Sequence, residues 1–231
     1  MVSGKKEQSA GRDVAVQTGI VSLDGVLNVP AHAEGIVLFA HGSGSSRHSP
    51  RNRYVAAVLN RARLGTLLFD LLTVDEEVLR SNVFDIGLLA ERLFATTTWL
   101  RTRPDLPALG IGYFGASTGA GAALWAATEP GSDVAAIVSR GGRPDLAARR
   151  LGQVAAPTLL IVGGLDDLVL QLNRQAQAQL RCESRLAVVP GATHLFEEPG
   201  ALQVAAELAR EWFTSHFERS RAAPGEARAR R

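Results

Sequence analysis

The sequence holds few of the features that mark secreted or membrane proteins. Its 231 residues contain one cysteine, Cys182, so no disulfide can form within the chain. No stretch approaches the roughly 20 apolar residues that a membrane-spanning helix needs, and the polar N-terminal residues lack the apolar centre of a signal peptide. The pattern argues against a disulfide-stapled fold and against a membrane partner, and we expect a cytoplasmic protein.

Aromatic residues are also scarce, at 6% of the chain, and basic residues are not interleaved with them. Stacking on bases is therefore not indicated, and we expect no nucleic-acid partner. The net charge of +2 is unevenly placed, because five arginines crowd residues 219–231 beside Pro224 and Gly225. Such a composition is typical of a solvated tail after a last helix.

The overall composition is that of an ordinary globular domain, with 46% hydrophobic and 21% charged residues. A chain of this length fits one domain and can bury a sizeable core. We predict a flexible N-terminus over residues 1–12, a single domain over residues 13–218 and a flexible basic tail over residues 219–231. The sequence leaves the oligomeric state open, a homodimer included.

Short β-rich apolar runs alternate with longer helical patterns, which predicts an α/β fold with a mostly parallel sheet and helices on both faces. Residues 14–30 are predicted as an antiparallel hairpin at the sheet edge, with its turn at Asp24-Gly25. The runs predicted as strands buried on both faces are 35–41, 65–70, 108–115, 133–139, 157–164 and 184–191. The predicted helices are 52–63, 82–103, 118–129, 167–180 and 200–218. No insertion between the fourth and fifth of these strands is large enough for a lid domain.

A G-x-S-x-G motif lies at residues 115–119, directly after one predicted strand and at the start of a predicted helix. In that context the motif is the nucleophile elbow, in which a sharp turn lifts the serine hydroxyl above the sheet. Small flanking residues are needed because the turn presses the strand end against the helix start. Ser117 is therefore the candidate nucleophile, and the alternative is that it only caps the following helix.

A serine hydroxyl is a poor nucleophile unless a base takes its proton. His194 is the candidate base, because it lies in a glycine-containing loop right after the last predicted strand. An acid between nucleophile and base in chain order would orient the imidazole and stabilise its charged form. Asp166 and Asp167 both occupy such a loop, and only one of them can reach His194 because adjacent side chains point in different directions.

The tetrahedral intermediate of acyl transfer needs hydrogen-bond donors aimed at its oxyanion. One candidate donor is the backbone N–H of Thr118, the residue after the nucleophile. The second is the backbone N–H of Ser43, in the H-G-S-G loop that follows the first buried strand. We interpret His41, which begins this loop, as a residue that braces it.

Polar and charged side chains follow two of the predicted strands. Arg47 and His48 lie in the polar segment 45–52, and each either binds an anionic part of a substrate or braces the loop by hydrogen bonds. Arg140 follows the strand 133–139, and it either lines the pocket or is solvated in a helix-capping loop. Both alternatives stay open for each of these residues.

The elbow, the acid loop GGLDDLV, the base loop GATHLF and the segment HGSGSSRHSPRN together resemble the dienelactone-hydrolase-like group of α/β-hydrolases. The similarity covers about residues 13–218. It implies an eight-stranded, mostly parallel sheet, and hydrolysis of esters or lactones without a metal or an organic cofactor. It also implies that Asp166 is the acid, because Asp166 matches the aspartate of the G-x-x-D-x-x-V pattern in this group.

One departure from the group affects the expected activity. Dienelactone hydrolase proper uses cysteine as its nucleophile, whereas this sequence has Ser117, so we expect carboxylesterase-like cleavage of a small-molecule ester. Cleavage of an amide or thioester, and a binding module without turnover, are the alternatives. The segment HGSGSSRHSPRN also resembles uncharacterised bacterial hydrolases, some of which are joined to a phosphoribosyltransferase domain that is not evident in these 231 residues.

Overall fold

The structure, a computed structural model, describes residues 11–222. Its strands are β1 (Arg12–Thr18), β2 (Val21–Asn28), β3 (Gly35–Ala40), β4 (Leu64–Phe69), β5 (Gly110–Ala116), β6 (Val134–Arg140), β7 (Thr158–Gly163) and β8 (Ser184–Val189). They form one eight-stranded sheet in the order β1-β2-β4-β3-β5-β6-β7-β8. β2 is antiparallel to both of its neighbours, and the remaining pairs are parallel. The predicted fold is confirmed.

Helices cover both faces of this sheet. They are α1 (Pro50–Arg61), α2 (Val74–Glu77), α3 (Arg80–Val83), α4 (Ile86–Arg101), α5 (Thr118–Ala126), α6 (Asp167–Gln177), α7 (Ala201–Ala222) and a 3₁₀ helix over Pro144–Gln153. The helices α1 and α7 pack on one face, and α4, α5 and α6 pack on the other. No large lid domain lies over the sheet among the described residues.

Strand β3 illustrates how an unbroken apolar run serves two cores. Val37 and Phe39 contribute to the core under α1 and α7, whereas Ile36 and Leu38 contribute to the core under α4 and α5. All four side chains are buried. Because successive strand residues point to opposite faces, a strand covered on both faces must be apolar throughout.

The arrangement of the sheet gathers the functional candidates at one edge. Strands β3 to β8 run parallel, so the loops that follow them meet at the carboxyl edge, where α/β proteins bind their ligands. α7 approaches β5 closely, since a Cβ on Gly112 would lie 2.7 Å from the ring of Phe213. The candidates at or just beyond the carboxyl ends of these strands are Ser43, Ser117, Arg140, Asp166 and His194.

The N-terminal hairpin is present, but its predicted turn is wrong. The turn lies at Gly19-Ile20, where Gly19 has a φ of +67°. Asp24 and Gly25, the predicted turn residues, lie inside β2. A glycine is favoured there by packing instead, because a Cβ on Gly25 would lie 3.1 Å from the Cβ of Phe69 in β4, closer than most such contacts.

Two helix boundaries also differ from the prediction. The predicted helix 82–103 is divided, because α3 ends before Asp85, whose side chain accepts a backbone N–H of the first turn of α4. The predicted helix 200–218 continues to Ala222, so the first residues assigned to the basic tail are helical. The 3₁₀ helix over residues 144–153 was not predicted.

The predicted flexible ends lie mostly outside the described residues. β1 begins at Arg12, at the boundary predicted for the domain. Within residues 11–222, no helix is both long enough and apolar enough to cross a membrane.

Candidate active site

Ser117 lies in a strained turn between β5 and α5. Its backbone has a φ of +50° and a ψ of −121°, a conformation that a residue with a side chain adopts only at a cost in energy. The flanking glycines are required sterically, since a Cβ on Gly115 would lie 2.4 Å from the Cα of Ala120 and one on Gly119 2.1 Å from the carbonyl oxygen of Ala40. This is the geometry of the predicted nucleophile elbow.

The structure pairs His194 with Asp166. The ring Nδ1 lies 2.6 Å from Asp166 Oδ2, a short hydrogen bond in which the imidazole donates and the carboxylate accepts. Asp166 precedes the first residue of α6, and its side chain is mostly enclosed, whereas the neighbouring Asp167 is exposed. With Nδ1 donating, the neutral ring has its lone pair at Nε2, the nitrogen that can take a proton.

The base loop passes directly over the end of β6, beside the elbow. A Cβ on Gly141 would lie 3.1 Å from the carbonyl oxygen of His194 and 3.6 Å from its Cε1. The preceding residue, Arg140, accepts a hydrogen bond from the backbone N–H of Ser117 at 3.4 Å. Ser117 and the imidazole are therefore brought to the same short stretch of the sheet edge.

The two residues that carry the predicted oxyanion donors, Ser43 and Thr118, contact each other. The backbone N–H of Ser43 donates to Thr118 Oγ1 at 2.9 Å, and the Thr118 side chain is buried. A Cβ on Gly42 would lie 3.0 Å from that of Ser117, so the loop after β3 is pressed against the nucleophile. The Ser43 N–H thus reaches the site, but it is engaged by the Thr118 hydroxyl.

His41 braces the loop after β3, as the sequence suggested. Its ring is buried, Nε2 accepts a hydrogen bond from the backbone N–H of Leu71 at 3.1 Å, and Nδ1 lies 3.0 Å from the carbonyl oxygen of Gly42. Both ring nitrogens are used, one as acceptor and one as donor, which fixes the neutral tautomer. The ring joins the ends of β3 and β4.

Arg47 and His48 are not brought to Ser117. The Arg47 guanidinium forms ion pairs with Asp70 and, at 3.4 Å, with Asp24, while its backbone N–H donates to Asp70 at 2.7 Å. Both Arg47 and His48 line a cavity of about 340 Å³ whose other walls come from β2, β4 and α1. Arg47 is therefore used to hold the loop, which is one of the two roles left open for it.

Arg140 lies beside the candidate nucleophile and is buried. Its guanidinium sits 5.6 Å from the centre of the Phe196 ring, and its Nε has no hydrogen-bond partner among the described residues. Burial and, to a smaller extent, the nearby cation of Arg51 lower the pKa of Arg140 to about 10. A solvated loop position, one of the two alternatives, is therefore wrong for this side chain.

A group of exposed apolar side chains at the carboxyl edge was missed by the sequence reasoning. Those in the segment from α2 to the start of α4 are Val74, Val78, Leu79 and Phe84. Leu165 and Leu195 lie in the loops after β7 and β8, and Leu168 lies in the first turn of α6. The sequence signal for part of this group is the pattern V-D-E-E-V-L at residues 74–79, which lies outside every predicted strand and helix. An apolar border around the site favours ligands with an apolar part.

The lone cysteine, Cys182, lies beside Thr158 at the start of β7, at the edge of the sheet opposite to the candidate site. Cys182 Sγ contacts Thr158 Oγ1 at 3.9 Å, and burial raises the pKa of its thiol, which disfavours a reactive thiolate. Within residues 11–222, no three histidine, cysteine or carboxylate side chains are grouped as metal ligands.

Comparison with known proteins links the chain to hydrolases. A solved structure of dienelactone hydrolase from Anabaena variabilis is 58% identical, covers 90% of this chain and 99% of that one, and superposes with a TM-score of 0.88. Est1E from Butyrivibrio proteoclasticus shares the fold at 14% identity, with a TM-score of 0.76 over 91% of this chain and 100% of that one. No family model matches the chain.

Curated relatives come from Mycobacterium tuberculosis. One, named a putative phosphoribosyl transferase, is 63% identical over 205 residues, which are 89% of this chain and 46% of that protein. The chain therefore spans about half the length of the curated relatives to which it is 63% identical. An uncharacterized protein is 30% identical over an alignment 211 positions long, which covers 80% of this chain and 73% of that protein.

Proposed function

The chain belongs to the dienelactone-hydrolase-like group of α/β-hydrolases, and from that membership we propose that it is a serine hydrolase of small carboxylic esters or lactones. The observation that carries this proposal is the 2.6 Å hydrogen bond between Asp166 and His194, formed beside the strained Ser117. A strained serine, an oriented imidazole and a carboxylate are the parts that acyl transfer requires.

In the proposed acylation step, Ser117 Oγ attacks the carbonyl carbon of the ester while His194 Nε2 takes the hydroxyl proton. The electron pair of the C=O bond moves to the oxygen, and a tetrahedral intermediate forms. When the pair returns, the bond to the leaving alkoxide breaks, and the alkoxide takes the proton from His194. Asp166 holds the ring in the required tautomer and stabilises its cationic form.

Water completes the proposed reaction by the same route. It attacks the acyl-serine carbonyl while His194 Nε2 takes one of its protons, and that proton returns to Ser117 Oγ as the carboxylic acid leaves. One water is consumed for each ester, and the enzyme is regenerated. With no large lid over the site among the described residues, solvent water has direct access.

The oxyanion of the intermediate is assigned to the segment around Thr118. The Thr118 backbone N–H, at the start of α5, is one proposed donor. The Ser43 N–H, the second proposed donor, donates to Thr118 Oγ1. It therefore acts on the oxyanion in one of two ways: its hydrogen is shared between Thr118 Oγ1 and the oxyanion, or the Thr118 hydroxyl donates its own proton to the oxyanion. Each donor aimed at the oxyanion contributes about 3–4 kcal/mol in comparable sites.

The name of the longer curated relative does not favour a second function. That protein is more than twice as long as the part that matches this chain, so its name does not assign an activity to the matched part. The strained serine and the His–Asp pair support acyl transfer in this half. Phosphoribosyl transfer is accordingly not proposed here.

The proposal is tested with 4-nitrophenyl esters of increasing acyl length and with a fluorophosphonate label. We expect the wild-type protein to cleave short esters and to be labelled at Ser117. Ser117→Ala should lower kcat by at least about 10³-fold and abolish the label. Ser22→Ala, at an exposed position in β2, is the matched control and should change neither.

The role of Asp166 as the acid is tested with a matched control, because Asp167 lies next to it in the chain. Asp166→Asn should lower kcat by roughly 10²–10⁴-fold, since the amide cannot stabilise the imidazolium, whereas Asp167→Asn should stay near the wild-type value. Labelling without ester cleavage would redirect the substrate class to thioesters or amides. No labelling at Ser117 would overturn the hydrolase proposal in favour of a binding module.

A further inference from the structure

Arg140 is a buried cation that lacks an anionic partner. Its side chain is 6% exposed, and its enclosed Nε has no hydrogen-bond partner within residues 11–222. Two other largely enclosed arginines are paired, Arg47 with Asp70 and Arg92 with Glu76. Among residues 11–222, carboxylates lie within ion-pair distance of those two guanidinium groups, and none does so for Arg140.

A guanidinium in these surroundings opposes folding. Burying a charge without a partner removes its hydration and returns no ion pair. Burial lowers the pKa of Arg140 to about 10, so the side chain is still a cation at neutral pH. A buried charge that the fold does not need is characteristic of a functional site, where stability is given up for ligand binding.

The residue beneath Arg140 is also strained. Phe196 has a φ of +56°, a value that bulky residues rarely adopt, and its buried ring lies under the guanidinium at 5.6 Å. The ring covers one flat face of the guanidinium by a cation–π contact. The edge that carries the N–H groups is left as the direction from which a ligand can bind.

This guanidinium belongs to the wall of the candidate active site. Arg140 ends β6 and is in register with Ala116, the residue before Ser117. Its carbonyl oxygen accepts the backbone N–H of Ser117. Phe196 follows His194 by two residues in the base loop, so the cation is tied to the nucleophile on one side and to the base on the other.

A second cation lies close to the first. Arg51, in the first turn of α1, is near enough to contribute to the lowered pKa of Arg140. Its own partner is Glu197, at 3.0 Å, whose side chain is 65% exposed and therefore lies at the solvent border. Two guanidinium groups that repel each other, one of them without an ion-pair partner among the described residues, favour an oxyanion that contacts both.

We propose that Arg140 and Arg51 form an anion-binding subsite beside Ser117, which holds a carboxylate or phosphate group carried by the ester substrate. That the anion is part of an ester substrate rests on the proposed hydrolase function, whereas binding of the anion itself does not. A planar guanidinium can hold either oxyanion through two parallel hydrogen bonds. Holding the anion fixes the distance from the charged group to the carbonyl that Ser117 attacks.

Binding is tested without turnover in the Ser117→Ala protein. Inorganic phosphate and monomethyl glutarate are titrated by calorimetry, and their effects on Tm are recorded in parallel. Both probes are expected to bind and to raise Tm. Adding Arg140→Met should weaken binding at least tenfold, Arg140→Lys should weaken it less, and Arg53→Met, which removes an exposed arginine from the same helix as Arg51, should leave it unchanged.

Turnover is tested with two esters of equal length, 4-nitrophenyl hexanoate and the mono-4-nitrophenyl ester of adipic acid. The wild-type protein should prefer the acidic ester in kcat/KM, and Arg140→Met should reduce the ratio of the two values at least tenfold. Arg51→Met should reduce it by a smaller factor, because Arg51 retains a partner in Glu197. Arg53→Met controls for the change in net charge.

The two proposals fail separately in these experiments. Labelling of Ser117 with no anion binding and no acidic preference would overturn the subsite and leave the hydrolase. Anion binding that depends on Arg140, without labelling or cleavage of any ester, would keep the subsite and overturn the hydrolase. Anion binding that is equal in the Arg140→Met protein would overturn the assignment of the site to Arg140.

Discussion

Arg47, in the loop after β3, and Arg140, at the end of β6, both follow parallel strands at the carboxyl edge of the sheet, yet their surroundings are opposite. Arg47 is held by Asp70 and Asp24, whereas Arg140 lies over Phe196 and has no carboxylate partner in the part of the chain that the structure describes. The first arginine stabilises a loop and the second is kept at a cost to stability. The same residue type at the same edge can therefore serve structure or ligand binding, and the partner decides which.

The largest effect that tests this comparison is a pair of stability changes with opposite signs. Arg47→Met leaves the mostly enclosed Asp70 without its ion pair and should lower the free energy of unfolding by about 2 kcal/mol. Arg140→Met removes an unpaired buried charge while keeping similar volume, and should raise it by about 1–2 kcal/mol. Urea unfolding at neutral pH measures both.

A double variant separates the ion pair from other effects at Arg47. Asp70→Asn in the Arg47→Met background removes the unpaired charge, so it should recover part of the lost stability. If Arg140→Met lowers the free energy of unfolding as much as Arg47→Met does, Arg140 has a structural partner and the contrast between the two arginines is wrong.

Local patterns in the sequence were sufficient for most of the fold. Continuous apolar runs such as 35–41 and 157–164 give strands buried on both faces, because the sheet is covered on both sides. The turn predicted at Asp24-Gly25 was wrong because a glycine packed closely against Phe69 has the same sequence signature as a turn glycine. Such packing joins residues far apart in the chain, and no local pattern records it.

The candidate site divides in the same way. Ser117 could be found because the elbow is a local motif whose glycines are needed within a few residues of it. The roles of Arg47 and Arg140 could not be separated, because the deciding contacts are with Asp70, Asp24 and Phe196, all distant in sequence. Chain order led to His194 as the candidate base and the family resemblance to Asp166 as its partner, whereas the 2.6 Å hydrogen bond between the two is a contact that only the structure supplies.

A smaller effect on stability is expected from two glycines in the segments that carry Arg47 and Arg140. Gly44, in the loop of Arg47, and Gly141, next to Arg140, have φ values of +68° and +52°. Replacing either by alanine should lower the free energy of unfolding by about 1 kcal/mol, because an L residue is strained there. A Cβ at Gly44 meets nothing within 4 Å, whereas one at Gly141 lies 3.1 Å from the carbonyl oxygen of His194.

Only the second substitution is therefore expected to disturb the base. Gly141→Ala should displace the base loop and lower kcat for a short ester by roughly tenfold, with a clearly smaller change for Gly44→Ala. Steady-state kinetics and urea unfolding of the two variants provide the measurement. Equal losses of kcat would show that the segment beside Arg140 has no special connection to His194.

The smallest expected effect is a change with pH in the stability gained by Arg140→Met. The pKa of Arg140 falls to about 10 in the fold, below the ordinary value for arginine, so folding is opposed by the full cost of burying the cation below about pH 10. Above about pH 10 the folded group loses its proton while the unfolded group still keeps it, and the cost declines by at most about 1.4 kcal/mol per pH unit. The advantage of Arg140→Met should therefore be smaller at pH 10.5 than at pH 8, with Arg53→Met as the control for net charge. Arg51 and Glu197 are the charged groups nearby, so the comparison is repeated in the Arg51→Met background. If the stability gained by Arg140→Met is the same at pH 8 and pH 10.5 in that background too, the gain does not come from removing the buried charge of Arg140.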